Sequence, residues 1–221
     1  MLAYLFWHRP RDPAAVEEYE HAQAAFHRSL AHNPPVGLCG SACFRVAELP
    51  WLGAFADDRG SEAAPAPGGY EDWYLIEDFA ALGVLNEAAV GRGHRSAHDQ
   101  VARRFGVGAG GMYGLLEGER PLLGEGVGAE RGGVFGAASL AVWVSRPPGS
   151  SKHGLADLLT DGIDPRHASL WRRQLVLGPA PEFCLLLDDR SQIAVATGVS
   201  PTRLPPGWTA TILDREPLGD G

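Results

Sequence analysis

Ala3 to Arg9 is a short apolar run rich in aromatic residues, after which apolar positions recur at three- and four-residue spacing at Val16, Tyr19, Ala22, Phe26 and Leu30. Aromatic residues favour strands and side chains return about every 3.6 residues round a helix, so the first pattern predicts a short strand and the second a long helix with one apolar face. Asp12 is placed to cap that helix with Pro13 at its first position, and Asn33-Pro34-Pro35 ends it. Gly37 to Val46, with Leu38, Ala42, Phe44 and Val46 on one face opposite Cys39, Ser41, Cys43 and Arg45, and Tyr70 to Glu77 are each read as a strand. Asp78 then caps a helix carrying Phe79, Leu82, Leu85 and Val90, and a shorter helical piece covers about Ser96 to Arg104. Gly106 to Gly111 reads as a tight turn, and Met112 to Leu116 as a fourth strand.

The resulting order, β-α-β-β-α-β, is that of a ferredoxin-like unit, an antiparallel sheet with helices on one face. It occupies residues 1–117. A glycine-rich linker over 118–136 leads to a second half, 137–221, whose strands are expected at Leu140–Ser145, Leu170–Leu177, Phe183–Asp188, Ile193–Thr197 and Trp208–Leu213. That half is poorer in helix: Leu155 to Asp161 is its clear helical segment. Tyr4-Leu5-Phe6-Trp7-His8-Arg9-Pro10 returns, loosened, as Ala141-Val142-Trp143-Val144-Ser145-Arg146-Pro147, an echo that predicts two related α+β halves. Between the second and third strands, Ala54 to Gly69 is rich in Asp, Gly, Ala and Pro and reads as an exposed connection.

This strand order and internal echo resemble the dimeric α+β-barrel superfamily, in which two ferredoxin-like units join their sheets round a central cavity. The resemblance covers residues 3–117 closely and 138–214 loosely. It implies an α+β fold of tandem ferredoxin-like halves with antiparallel sheets. Members include monooxygenases that oxidise aromatic polyketides without a metal, haem enzymes such as chlorite dismutases, and proteins of no known activity, so fold alone does not choose a function.

Composition narrows the partners. The chain has 221 residues, 45% of them hydrophobic, enough for a substantial core. A formal net charge of -8 disfavours nucleic acid, whose binding rests on clustered Lys and Arg. No uncharged apolar stretch reaches the roughly 18 residues that span a bilayer, so no membrane is expected and the chain reads as cytoplasmic. Cys39, Cys43 and Cys184 read as reduced thiols, buried small hydrophobes by default.

Candidate chemistry lies on the strands. His8, near a strand end and with an ordinary pKa close to neutrality, is a candidate base or donor; hydrogen bonding at the sheet rim is its structural alternative. Glu71, Trp73, Leu75 and Glu77 alternate with Asp72, Tyr74, Ile76 and Asp78, giving both faces an acid and an aromatic ring. Asp72 is accordingly a candidate catalytic group, and Trp73 and Tyr74 candidate ligand-binding groups; the alternative is an exposed edge strand with solvated acids. Arg45 would hold an anionic ligand or an internal carboxylate. His94 and His98, four residues apart and beside Asp99, have the spacing most like a metal site, but HExxH is absent because Arg95 takes the glutamate's place, so no metal is assigned. No GxSxG element is present.

The leading expectation is a protein binding a small organic molecule, aromatic in character, between its sheets, with oxidative chemistry of the monooxygenase kind and an unidentified cofactor. A non-catalytic self-association module, a homodimer covering the open sheet face, is the alternative, and a haem enzyme the third.

Overall fold

A computed structural model describes residues 1–52, 68–91, 93–118, 139–150, 159, 163–164, 167–176, 181–188 and 204–218. The chain divides into two compact units: Met1–Met112 with Leu175–Ala180 and Glu216–Gly221, and Tyr113–Gln174 with Pro181–Arg215.

In the first unit β1 (Leu2–Pro10) leads through a 3-10 turn, Pro13–Ala15, into α1 (Val16–His32). Asp12 starts the turn, its carboxylate accepting from the Ala14 N–H at 2.9 Å, with Pro13 at the first position. Glu17 and Glu18 lie in the first turn of α1 and His32 in the last, the favourable placement for the helix dipole. Tyr19, Ala22, Phe26 and Leu30 are buried, as their spacing predicts, and so is Gln23. Burial of each large apolar member contributes roughly 1.5–3 kcal/mol. Gly37, at φ 82°, turns the chain into β2 (Leu38–Val46), in a left-handed conformation that favours glycine.

β3 (Gly69–Ile76) lies between β1 and β2, antiparallel to both. All eight of its residues are buried. This corrects the reading of an edge strand with solvated acids: both neighbouring strands pair with it, so Glu71 and Asp72 are enclosed and need partners inside the protein. A second correction concerns β2. The register shifts between Leu38 and Gly40, a bulge at Cys39, so Leu38 packs with the cluster of Ile76 and Leu85 instead of sharing a face with Phe44.

The Asp78 carboxylate accepts from the Ala81 N–H and begins α2 (Phe79–Val90); α3 (Arg95–Arg104) follows. β4 then runs from Phe105 to Gly118, and the turn expected over Gly106–Gly111 is strand. The glycines are there because β4 lies against β1. A Cβ on Gly106 would fall 2.8 Å from the Pro10 carbonyl oxygen, and one on Gly108 2.8 Å from that of Trp7. The face of the sheet carrying Tyr74 and Ile76 packs on Phe26 and Leu30 of α1 and on Ala81, Leu85 and Ala89 of α2.

The second unit orders its strands β8-β5-β7-β6, with β5 at Leu140–Ser145, β6 at Ala168–Val176, β7 at Phe183–Leu187 and β8 at Thr209–Pro217. β5 pairs antiparallel with β7 and β8, and β6 pairs antiparallel with β7. Val142, Val144, Leu170, Phe183, Leu185 and Leu187 form its core with Leu159 and Leu204. The two aromatic runs that echo one another in sequence are thus β1 and β5, with Trp7 and Trp143 fully enclosed in them. The expected strand Ile193–Thr197, most of the linker and most of the helix Leu155–Asp161 lie outside the described residues. No helix among the described residues is long and apolar enough to cross a membrane.

Candidate functional site

Between α1 and the first sheet lies a cluster of polar side chains that strand parity and helix spacing assemble from four elements. On β1, Tyr4, Phe6 and His8 share a face; on β3, Tyr70, Asp72 and Tyr74 do. The register sets Phe6 opposite Asp72 and His8 opposite Tyr70, so His8 and Asp72 are diagonal neighbours across the two strands. On the other side of β3, Cys43 stands opposite Asp72 and Ser41 opposite Tyr74. Helix α1 supplies Tyr19, Gln23 and His27, four residues apart and therefore on one stripe.

The buried Asp72 carboxylate is the hub. Its Oδ2 lies 3.1 Å from His8 Nε2 and accepts a hydrogen bond from the Tyr74 hydroxyl at 3.1 Å; its Oδ1 lies 3.3 Å from His27 Nε2. His8 Nδ1 is 2.6 Å from the Tyr19 hydroxyl, which in turn accepts from Gln23 Nε2 at 3.1 Å. A carboxylate only accepts, so with neutral His8 the proton sits on Nε2 and the Tyr19 O–H donates to Nδ1. Phenol, imidazole and carboxylate then form one continuous chain. The Tyr70 ring stacks on His8 with centroids 5.5 Å apart, and its hydroxyl donates to Glu20.

Burial acts to raise the Asp72 carboxyl, but His8 and His27 together outweigh it and hold the group well below the usual carboxylate range. Asp72 is therefore a buried anion. Burial, and then the charge of Asp72, push the Tyr19 and Tyr74 phenols and the Cys43 thiol upward, so these three groups keep their protons. The array can move a proton between an oxygen acid and an imidazole whose cationic form has a counter-charge waiting beside it.

Of the residues singled out in sequence, His8, Asp72 and Tyr74 meet in this cluster, which is enclosed between helix and sheet. Trp73 faces the opposite side of β3. There the Trp7 and Trp73 indoles donate to the two oxygens of buried Glu71 at 3.3 and 3.5 Å. Arg45 lies toward solvent, where it forks onto Glu20 and also pairs with Glu216 at 2.8 Å, the internal ion-pair alternative. Its link to the cluster is indirect, through Glu20 and Tyr70.

His94 and His98 do not converge. His94 precedes the first turn of α3 and is buried, with Nδ1 2.6 Å from Ser29 Oγ and Nε2 2.9 Å from the Asn33 carbonyl oxygen. Both its nitrogens thus tie α3 to the end of α1, while the ring of His98 packs on Phe26. Among the described residues the donors close enough to share a metal ion are instead His8, Cys43 and Asp72, with ligand atoms within 4.8 Å of one another. Sequence reasoning missed Gln23, His27 and the role of Tyr19. Their signal was present as a Tyr-x3-Gln-x3-His stripe beside the apolar face of α1, but a polar stripe on an amphipathic helix normally faces water.

No protein-family model matches the chain, and no curated protein matches it. Solved structures do. A provisionally assigned monooxygenase from Fusobacterium nucleatum aligns over 99% of this chain and 92% of its own, at 8% identity and a TM-score of 0.61. A second provisionally assigned monooxygenase, from Lactobacillus acidophilus, aligns over 99% and 96% at 7% identity and a TM-score of 0.53. A provisionally assigned chlorite dismutase covers 98% and 94% at 10% identity and a TM-score of 0.51. At these identities the likeness shows the fold alone, a mixed α+β fold with antiparallel sheets.

Proposed function

We propose that this protein is an oxidative enzyme acting on a small organic molecule with an ionisable hydroxyl, and that the Tyr19–His8–Asp72 chain takes the proton from it. The observation that carries the reading is the buried Asp72 anion set against two imidazoles and two phenols, an arrangement suited to acid–base work. A substrate proton passes to the Tyr19 oxygen as the Tyr19 proton passes to His8 Nδ1, and Asp72 stabilises the imidazolium. The phenolate or enolate left behind is the electron-rich form that gives up electrons more readily than its neutral parent. The oxidative character is carried over from the fold's monooxygenase-named neighbours. His27, the least enclosed histidine of the cluster, and Ser41, 2.9 Å from its Nδ1, mark the side from which a ligand would approach.

A haem reading fits less well. Its iron needs an imidazole facing a flat apolar space, whereas His94 is tied through both ring nitrogens and His8 is ringed by Asp72, Tyr19 and Gln23. The test is dioxygen uptake with a panel of phenolic and enolic aromatics, comparing wild type with Tyr19→Phe and Asp72→Asn. The expected result is substrate-dependent uptake that drops by about 100-fold or more in Tyr19→Phe. Uptake unchanged in both variants, with both folded, would overturn the assignment.

A further inference from the structure

We propose that His8, Cys43 and Asp72 form a buried binding site for one zinc-class divalent ion, a site that uses the cluster above but whose occupancy does not depend on the oxidative reading. The three residues offer the three donor types that zinc accepts, an imidazole nitrogen, a sulfur and a carboxylate oxygen. Their exposures are 0%, 5% and 2%.

Distances favour it. Two light-atom ligands of tetrahedral zinc stand about 3.3 Å apart, from bond lengths of about 2.0 Å. His8 Nε2 and Asp72 Oδ2 are 3.1 Å apart. All three ligand atoms lie within 4.8 Å of one another, so closing on an ion asks for a contraction of at most about 1.3 Å at sulfur, whose edge to nitrogen is about 3.5 Å.

Charge favours it as well. A divalent ion held by one thiolate and one carboxylate carries no net charge, which is the condition for a site this deeply enclosed. The thiol proton of Cys43 leaves to solvent when the Sγ–metal bond forms. The Nε2 proton of His8 is replaced by a tautomer change: Nδ1 takes a proton and donates to the Tyr19 oxygen, which already stands 2.6 Å away. Tyr19 then plays the part of the outer hydrogen-bond partner that orients metal-bound histidines.

A separate observation points to a missing occupant. Gln23 Oε1 is buried without a hydrogen-bond partner, although such atoms are nearly always satisfied. The Gln23 amide end is beside His8, with Nε2 3.4 Å from His8 Nε2, so the fourth ligand position falls to its oxygen after an amide flip.

The test is titration of metal-stripped protein with Zn2+ against a chromophoric chelator, together with Co2+ absorption spectra. One ion per chain is expected. Cys43→Ser should weaken binding at least about 100-fold and abolish the thiolate-to-cobalt charge-transfer band, while Cys39→Ser leaves both intact. Far-UV circular dichroism of metal-free Cys43→Ser separates lost binding from lost folding, and if that variant does not fold, the wild-type cobalt band and its persistence in Cys39→Ser and Cys184→Ser decide the matter. Absence of stoichiometric binding, affinity unchanged in folded Cys43→Ser, or a band that follows Cys39 or Cys184 overturns the site. A filled site holds His8 with its proton on Nδ1 and so blocks the transfer from Tyr19; zinc binding with no turnover even in metal-stripped protein would sink the proposed function alone, and turnover without zinc binding would sink this inference alone.

Discussion

His8 Nε2 lies 3.1 Å from Asp72 Oδ2 in the closed space between a helix and a sheet. The pair joins β1 to β3 across 64 residues of sequence and sits where water cannot share the load. Removing one member of a buried pair leaves the other without compensation.

Asp72→Asn should therefore destabilise the protein by about 3–5 kcal/mol, because His8, His27 and the Tyr74 hydroxyl all lose the ionised acceptor they share. Urea denaturation measures the change. A loss under 1 kcal/mol would mean that water reaches the carboxylate. Tyr19→Phe removes a single hydrogen-bonding group and should cost about 1–3 kcal/mol, which keeps it usable as a functional probe.

The same carboxylate sets the acid limb of stability. Its folded pKa is depressed, so its contribution is fully present above the unfolded value of about 3.9. As pH falls below that value the unfolded chain takes up the proton and the native protein does not, and stability declines. Unfolding midpoints followed from pH 5 to pH 2 should fall less steeply in Asp72→Asn than in wild type.

The alkaline limb has the opposite sign. Tyr19, Tyr74 and Cys43 are raised in the folded state, so the stability they contribute is present below their unfolded pKa values and is lost as pH rises past them. Above pH of about 10 the unfolded chain ionises its phenols first. Phenolate absorbance from these two tyrosines should appear together with loss of circular dichroism, not before it.

Two glycines should answer alanine in opposite ways. At Gly106 the new Cβ would meet the Pro10 carbonyl oxygen at 2.8 Å and Arg11 backbone atoms at 2.9 and 3.0 Å, and main chain cannot step aside cheaply. Gly106→Ala should cost about 1–3 kcal/mol. Gly83, within α2, has nothing within 4 Å of that position, and Gly83→Ala should stabilise by roughly 0.5–1 kcal/mol through helix propensity. Thermal unfolding of the two variants gives the comparison directly.

His94→Ala should loosen the junction of α1 and α3 by removing the contacts with Ser29 Oγ and the Asn33 carbonyl, while zinc affinity stays that of wild type. Faster amide exchange at the end of α1 would report the first effect. A fall in zinc affinity would restore the histidine pair as the metal site.

What the sequence determined by itself is local. Alternation and helical spacing, with Asp12 and Asp78 as caps, set the elements of the first unit and their order, because strand parity and helix faces depend on neighbours a few residues apart. That parity also put His8 on the side of β1 and Asp72 on the side of β3 where they meet. Tertiary structure alone decided that β3 is the enclosed middle strand, which turns its acids from solvated groups into a buried hub. It alone decided that Gly106 and Gly108 serve a close approach to β1 instead of a turn. It also brought Tyr19, Gln23 and His27 down onto Asp72, since a polar stripe on α1 reads as solvent-facing until the sheet beneath presents a carboxylate to meet it. Pairing across 64 residues leaves no periodic trace in either segment, and so the strands and their faces were legible while the contacts between them were not.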